Sequence, residues 1–372
     1  MQDLLPVAQL NARSLKNIFG DFGTSFLRSM PPEFAHSMGM LVLKSGLLNF
    51  MGSFSDSILD VSLNTEVPGV ASLKQPLGIA AGFDKNAQAL IGLKKLGFSF
   101  LELGTVTPLP QNGNPKPRLF RQKHQLALIN RMGFNNHGIE RVARRLRASQ
   151  QKTDLGPVGV NLGKNKITSL EGAIEDYIQG ILAFEQCCDY FVINISSPNT
   201  PNLRKLADPA FLKELAESIS LRSPNTLKKV WIKLDPDMSK KIFQSTVECI
   251  ASEKYAGIIL TNTHKIDVPQ KGGQSGHPLA IGSSQCLEWA YQVHQGQLPM
   301  IGCGGILSGF DIFHKMIRGA CAVQIYTALI YRGPFVVELL LRELAAELKS
   351  RKIKYLTDII GKYYEDPRLQ KK

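Results

Sequence analysis

The chain of 372 residues has six cysteines and seven histidines, and it has no Cys-x-x-Cys pair. Cys187, Cys188, Cys249, Cys286, Cys303 and Cys321 are spread through apolar segments, the pattern of reduced, buried thiols in a cytosolic compartment rather than of a disulfide framework or a zinc site. No apolar run is long enough to cross a bilayer, since the best candidate, Met38–Met51, is short and broken by Lys44. The chain is therefore expected to lie on a membrane at most. The first residues carry Asp3 and lack a basic segment followed by an apolar core, which argues against a secretory signal. Acids are outnumbered by bases, 31 to 44, for a formal net charge of +13. That balance brings nucleic acid, an anionic membrane surface and phosphate-bearing ligands into consideration. The clusters Arg141–Arg147 and Lys349–Lys354 read as a solvated helix face and tail. With 44% apolar and 20% charged residues the chain is an ordinary globular protein.

Residues 1–52 stand apart from the rest. Pro31-Pro32-Glu33 places a proline and an acid where a helix N-terminus favours them, and Met38, Met40, Leu41, Leu43, Leu47, Leu48, Phe50 and Met51 follow as a methionine- and leucine-rich helical stretch. It reads equally as a cap packed on the main domain or as an interfacial helix dipping into lipid. Residues 53–372 follow a strand-then-helix rhythm. Apolar runs at Leu77–Ala81, Phe100–Val106, Pro157–Leu162, Phe191–Ile195, Val230–Leu234, Gly257–Thr261, Met300–Cys303 and Ala322–Tyr326 alternate with helical patterns such as Gly172–Gln186, Pro209–Ser220, Ser239–Ser252 and Ser283–His294. Eight such units imply an α/β fold, the closed (β/α)8 TIM barrel, preceded by a small N-terminal helical extension. A doubly wound sheet would need a Gly-x-Gly-x-x-Gly turn after its first strand, and Gly78–Lys85 does not supply one. Two insertions, Thr107–Phe134 and His264–Ile281, are expected to cover the barrel mouth as loops or a small hairpin.

The residues at the strand ends should converge on one cavity. They are Asp84-Lys85-Asn86, Thr105, Asn161 with Gly163, Asn194–Asn199, Lys233, Thr261-Asn262-Thr263, Gly304-Gly305 and Tyr326-Thr327. This set is rich in amides and lysines and almost free of histidine and paired carboxylates. Metal-assisted and glycoside hydrolysis drop away, and no metal is expected. Asn130, Asn194, Asn199 and Asn262 each offer a donor and an acceptor in one plane, which suits a planar heterocycle carrying C=O and N–H groups. One asparagine alone more often caps a turn, but four around one cavity shift the odds. Gly304-Gly305, with the helix that follows it and Tyr326-Thr327, fits the phosphate site common after strands seven and eight. Lysines at Lys85 and Lys233 would need an anion or an electron-rich partner. Redox chemistry from such a cavity would have to come from a flavin.

Six motifs, in order along the chain, resemble the quinone-dependent (class 2) dihydroorotate dehydrogenase family. They are Ala80-Ala81-Gly82-Phe83-Asp84-Lys85-Asn86, Asn114–Arg121, Ile129–Asn135, Asn194–Thr200, Thr261-Asn262-Thr263 and Gln324-Ile325-Tyr326. Pro32–His36 also resembles the start of that family's helical extension. The resemblance implies oxidation of (S)-dihydroorotate to orotate in pyrimidine biosynthesis, with one FMN per chain as hydride acceptor and a membrane quinone as final electron acceptor. It implies that Ser197 is the base taking the C5 proton. Substrate contacts would be Lys85, Asn130, Arg131, Met132, Gly133, Phe134, Asn194, Asn199, Asn262 and Thr263. Flavin contacts would be Ala81, Gly82, Phe83, Asp84, Lys85, Thr105, Asn161, Asn194, Lys233, Thr261, Gly276, Gly305, Tyr326 and Thr327. Lys233 would stabilise negative charge on the reduced flavin, and quinone would enter near His36, Arg121 and Tyr326.

The resemblance further implies a monomer held peripherally at the cytoplasmic face of the bacterial inner membrane or at the mitochondrial inner membrane, with no nucleic-acid partner. Thr327 stands where the family pattern has serine, Gln274 where it has leucine, His277 where it has a basic side chain and Cys303 where it has valine. Threonine keeps the hydroxyl, and the other three bear only on local loop geometry. Class 1 enzymes, which carry cysteine at the position of Ser197, fit less well. The net charge keeps another FMN barrel in view, a tRNA-dihydrouridine synthase, although that would want an active-site cysteine and an RNA-binding domain after the barrel. A non-catalytic phosphate-binding barrel is the third reading.

Overall fold

The computed structural model describes residues 23–48, 54–63, 69–363, 365, 366 and 369. The expectations placed on residues 1–22, on Phe50 and on Met51 lie outside the described residues. Eight parallel strands close a barrel in sequence order. They are β1 (Leu77–Ile79), β2 (Phe100–Val106), β3 (Val158–Leu162), β4 (Tyr190–Asn194), β5 (Val230–Leu234), β6 (Gly257–Leu260), β7 (Met300–Cys303) and β8 (Ala320–Ile325). Each falls within two residues of its expected run. All eight are buried along their whole length, as strands covered on both faces must be, which is why they read as continuous apolar runs rather than alternations.

Inside the barrel, large side chains face glycines across neighbouring strands. Phe100 pairs with Gly78, Tyr190 with Gly159 and Trp231 with Gly257. A Cβ on Gly159 would lie 2.1 Å from the Tyr190 ring, so the glycine is what admits the aromatic there. The helices Ala173–Phe184, Pro209–Arg222, Lys240–Ser252 and Ala280–His294 occupy the expected crossovers.

The two insertions differ from their expectation in one respect. They do not stand as separate loops but pair with each other. Strands Leu119–Gln122 and Ala127–Asn130 form a hairpin, and Gly272–Gly276 adds to its edge with Gly273 opposite Asn130, followed by His264–Ile266, making one four-stranded antiparallel sheet. That sheet contributes Leu119, Leu128, Asn130, Ser275 and Gly276 to the wall of the cavity at the barrel mouth.

Helix α1 (Pro32–Ser45) begins on its proline and ends at Gly46 in the left-handed conformation. It buries Ala35, Met40 and Leu43, and its Leu43 main chain packs so closely on Gly92 that a Cβ there would meet the carbonyl at 2.3 Å. Glu33 accepts from Arg118 Nε at 3.2 Å, tying the helix to the mouth sheet. No helix among the described residues is long and apolar enough to cross a membrane.

Candidate active site

The strand ends do converge. A single cavity is lined by Ala81, Gly82, Lys85, Thr105, Asn130, Met132, Gly133, Phe134, Asn194, Ser197, Asn199, Lys233, Thr261, Asn262, Thr263, Gly276, Gly305, Tyr326 and Thr327. These are nineteen of the expected residues, drawn from the ends of seven strands and from the mouth sheet. Four others lie elsewhere. Asp84 is buried and accepts from the main-chain N–H groups of Asn86, Gln88 and Ala89, so it shapes the loop that carries Lys85. Arg131 turns outward onto the Pro117 carbonyl, and Phe83 and Asn161 sit behind the cavity wall.

Beneath the cavity runs a buried polar ladder. Glu102 interrupts the apolar strand β2, and its side chain is wholly buried. It accepts from Asn161 Nδ2 at 2.8 Å and from Gln324 Nε2 at 2.5 Å, and it lies 3.6 Å from Lys233 Nζ. Burial disfavours the ammonium of Lys233, but the Glu102 carboxylate more than compensates and holds its pKa above that of a free lysine. Asn161 in turn accepts from Thr105 Oγ1 at 2.5 Å and from Asn194 Nδ2 at 3.0 Å. The chain continues as Asn194 Oδ1 accepts from Asn262 Nδ2 at 3.3 Å, and Asn262 also donates to Ser196 Oγ at 3.0 Å. On the mouth side Asn199 Nδ2 donates to Asn130 Oδ1 at 3.1 Å. All four candidate asparagines therefore line one cavity with their amide planes fixed by neighbours.

Ser197 is buried in the loop after β4, and its Oγ accepts from the Asn199 N–H at 3.3 Å. Lys85 donates to the Gly82 carbonyl at 2.5 Å. Burial and the nearby Arg118 guanidinium push its pKa down to about 8. At the opposite end Gly305 and Gly276 adopt positive φ values of 76° and 91°. A Cβ on Gly305 would lie 2.2 Å from Ala280 Cα, and one on Gly276 would lie 2.2 Å from the Leu126 carbonyl oxygen. Ser275 Oγ and Thr327 Oγ1 meet there at 2.8 Å.

On the α1 side the cavity wall is backed by aromatic rings. His36 packs edge-on against Phe83 with centroids 5.1 Å apart, and Phe83 packs edge-on against Tyr326 at 5.7 Å. Two expected quinone contacts are thus joined through Phe83. The third, Arg121, donates to the carbonyls of Met30 at 2.5 Å and Leu27 at 3.2 Å, anchoring the segment before α1.

The family pattern described as dihydroorotate dehydrogenase matches residues 62–348. The chain belongs to the dihydroorotate dehydrogenase family. It is 42% identical over 353 residues to the dihydroorotate dehydrogenase (quinone), mitochondrial, of Mus musculus, covering 90% of this chain and 87% of that one. It is 40% identical over 361 residues to the dihydroorotate dehydrogenase (quinone) of Myxococcus xanthus, covering 92% and 97%. Among solved structures, DHODH from Eimeria tenella in complex with ferulenol superposes with a TM-score of 0.81 at 34% identity, covering 89% of this chain and 95% of that one.

Sequence reading did not single out Glu102 or Ser275, and it quoted Gln324 only within a motif, not as a contact of the site. Glu102 had a legible signal, a lone carboxylate inside an apolar strand. Ser275 enters through folding geometry, since it depends on a strand pairing between distant segments, whereas Gln324 stands in the legible strand β8 and only its direction waited for the fold.

Proposed function

We propose that this protein oxidises dihydroorotate to orotate and delivers the electrons to a quinone, with FMN held in the cavity at the barrel mouth. The observation that carries the reading is that Ser197, Lys85 and the four asparagines line the same cavity as the buried Lys233.

The residues fit FMN. Gln324 Oε1 is buried in the wall without a hydrogen-bond partner, an acceptor waiting for a donor from a bound group. Gly276 and Gly305 leave bare main chain where a side chain would collide, and the Ser275 and Thr327 hydroxyls stand beside them, a combination suited to a phosphate. Ala81, Gly82, Thr105, Asn194, Lys233, Thr261 and Tyr326 would line the ring system, with Asn161 supporting Thr105 and Asn194 from behind. Held there, FMN would supply the acceptor for the C6 hydride of the substrate and the redox link to the quinone.

The chain's own residues then divide the work. Asn130, Asn194, Asn199 and Asn262 hold the planar ring by its C=O and N–H groups, and Met132, Gly133, Phe134 and Thr263 close around it. Lys85 pairs with the carboxylate, and the Ser197 oxygen receives the C5 proton as its own hydroxyl proton passes to water. Lys233, kept protonated by Glu102, supplies positive charge beneath the ring system. Arg131 projects away from the cavity, so its part is limited to shaping the Asn130–Phe134 segment.

On α1, Phe34 and Leu41 are 54% and 59% exposed and lie seven residues apart on one helix face, and Phe26 before the helix and Leu47 after it are exposed too. This face lies on the membrane as a peripheral contact, at the bacterial cytoplasmic face or the mitochondrial inner membrane, with quinone reaching the cavity past His36 and Phe83. The decisive test is an anaerobic visible spectrum. Purified protein should be yellow and bleach on addition of dihydroorotate, and a colourless protein that takes up no flavin would overturn the reading.

A further inference from the structure

We propose that Arg204 is a positioning residue for the oxidation, its guanidinium fixing the spacing between the loop that carries Ser197 and the loop that carries Asn262 and Thr263. The proposal rests on the functional reading above. Arg204 stands in the short turn Leu203–Ala207, immediately after the Ser197 loop. Its Nε donates to the Ser196 carbonyl at 3.1 Å, and its Nη2 donates to the Thr263 carbonyl at 3.2 Å. Its Nη1 donates to Asp237 Oδ2 at 2.8 Å and lies 3.5 Å from Asp235 Oδ1. Loops from the ends of β4, β5 and β6 therefore meet on one planar cation.

The anchor is itself held. Asp237 accepts from the Lys265 N–H at 2.8 Å and pairs with His264 Nδ1, while the Asp237 N–H donates to Asp235 at 2.9 Å. The Ser196 carbonyl belongs to the peptide group whose nitrogen is that of Ser197. Holding that plane sets the direction in which the Ser197 side chain leaves the main chain. The Thr263 carbonyl belongs to the peptide group that follows Thr263, so this contact holds the Asn262-Thr263 segment at its far end. A merely stabilising surface ion pair needs only the carboxylates and contributes little. Here two donors go to main-chain carbonyls of two cavity loops, which a stabilising role does not require. The flat fork of arginine can serve these divergent acceptors at once, whereas the ammonium of lysine is a compact point charge.

The test uses full-length, flavin-loaded Arg204→Gln and Arg204→Lys. Anaerobic reduction of the flavin by dihydroorotate should slow about 10- to 100-fold in Arg204→Gln, the cost of a misplaced reacting group. Arg204→Lys should recover part of that loss. Flavin content and reoxidation by a quinone analogue should stay at the wild-type level. In protein given no substrate, amide hydrogen exchange at Ser197–Asn199 should quicken in Arg204→Gln, a readout independent of turnover. A wild-type reduction rate in Arg204→Gln, or wild-type exchange at those amides, would overturn the proposal. If Arg204→Gln does not fold, Asp237→Asn is measured instead. It should show the same faster exchange and a smaller fall in reduction rate, and wild-type values for both would equally overturn the proposal. Failure of the functional reading looks different, because wild-type flavin would then not bleach with dihydroorotate at all, while the exchange measurement still decides whether Arg204 holds the loop.

Discussion

Lys233 Nζ and the Glu102 carboxylate lie 3.6 Å apart beneath the cavity, with side chains 6% and 0% exposed. Removing one partner of a buried ion pair leaves the other uncompensated, a loss of about 3–5 kcal/mol. Glu102→Leu should approach that figure in urea denaturation, because Lys233 then keeps no carboxylate. Lys233→Met should cost less, since Asn161 and Gln324 still donate to Glu102. The double variant should be more stable than Glu102→Leu alone. The Lys233 pKa is raised in the folded state, so its contribution is complete below the free-lysine value and is lost only as pH climbs through the raised one. Lys233 should therefore add no pH dependence to stability in the neutral range.

Lys85 is shifted the other way. Burial lowers its pKa to about 8, so the ammonium that would hold the substrate carboxylate begins to disappear just above neutrality. Orotate affinity should be level below pH 8 and should weaken above it, towards about tenfold per pH unit. Isothermal titration across pH 6–10 checks this, and Lys85→Met should bind weakly with the dependence abolished. The sign for stability is opposite. Between about 8 and the free-lysine value the unfolded chain binds more protons, so the protein without ligand should gain stability from Lys85 over that window.

Ser197→Ala should slow flavin reduction by dihydroorotate about 10²- to 10⁴-fold, the usual weight of a positioned proton acceptor. Flavin retention should be unchanged, because Ser197 follows β4 and its Oγ accepts from the Asn199 N–H, whereas Thr327, which meets Ser275 in the cradle, follows β8, across the barrel. Rapid-mixing absorbance and flavin quantitation read the two effects separately. Loss of both together would contradict the assignment of roles.

The barrel was legible because its strands are buried on both faces. Runs such as Tyr190–Asn194 and Val230–Leu234 carry that burial in their composition, and each run is local. Asn194, Asn199 and Asn262 were legible for a related reason, since they stand at or just past strand ends that point into the barrel mouth, while Asn130 lay in the mouth insertion. The mouth sheet was not, because Asn130 pairs with Gly273 across a separation that no local pattern encodes. Asp84 shows the complementary difficulty. It sits inside a specific motif, yet its carboxylate is turned onto its own loop by three N–H groups, and only the folded main chain reveals that direction.

His36 tests the route to the quinone. Burial and the charge of Lys85 lower its pKa to about 3, so it stays neutral throughout the working range. Quinone-dependent reoxidation of the flavin should therefore carry no inflection attributable to His36 between pH 5 and 8. His36→Ala would remove the edge-on contact with Phe83 and should slow reoxidation while leaving reduction by dihydroorotate intact. Double-mixing stopped-flow separates the two half-reactions. An equal slowing of both would assign His36 to the packing of α1 alone.

Gly305 has φ 76°, and a Cβ there would sit 2.2 Å from Ala280 Cα and 2.5 Å from its nitrogen, both main-chain atoms that cannot swing aside. Gly305→Ala therefore forces either a shift of the loop or a left-handed alanine, a strain of about 1–3 kcal/mol placed on the residues that would face the phosphate. Thr327 offers a graded comparison at the same place. Thr327→Ser keeps the hydroxyl beside Ser275 and should retain flavin, whereas Thr327→Val keeps the shape and loses the hydroxyl. Equilibrium dialysis against FMN should rank affinity as wild type and Thr327→Ser, then Thr327→Val, then Gly305→Ala. Riboflavin, which lacks the phosphate, should bind all four proteins with similar affinity, because the strain and the missing hydroxyl both act at the phosphate end. If riboflavin followed the same ranking, the defect would lie in the ring pocket, and the cradle would have been assigned to the wrong part of the ligand.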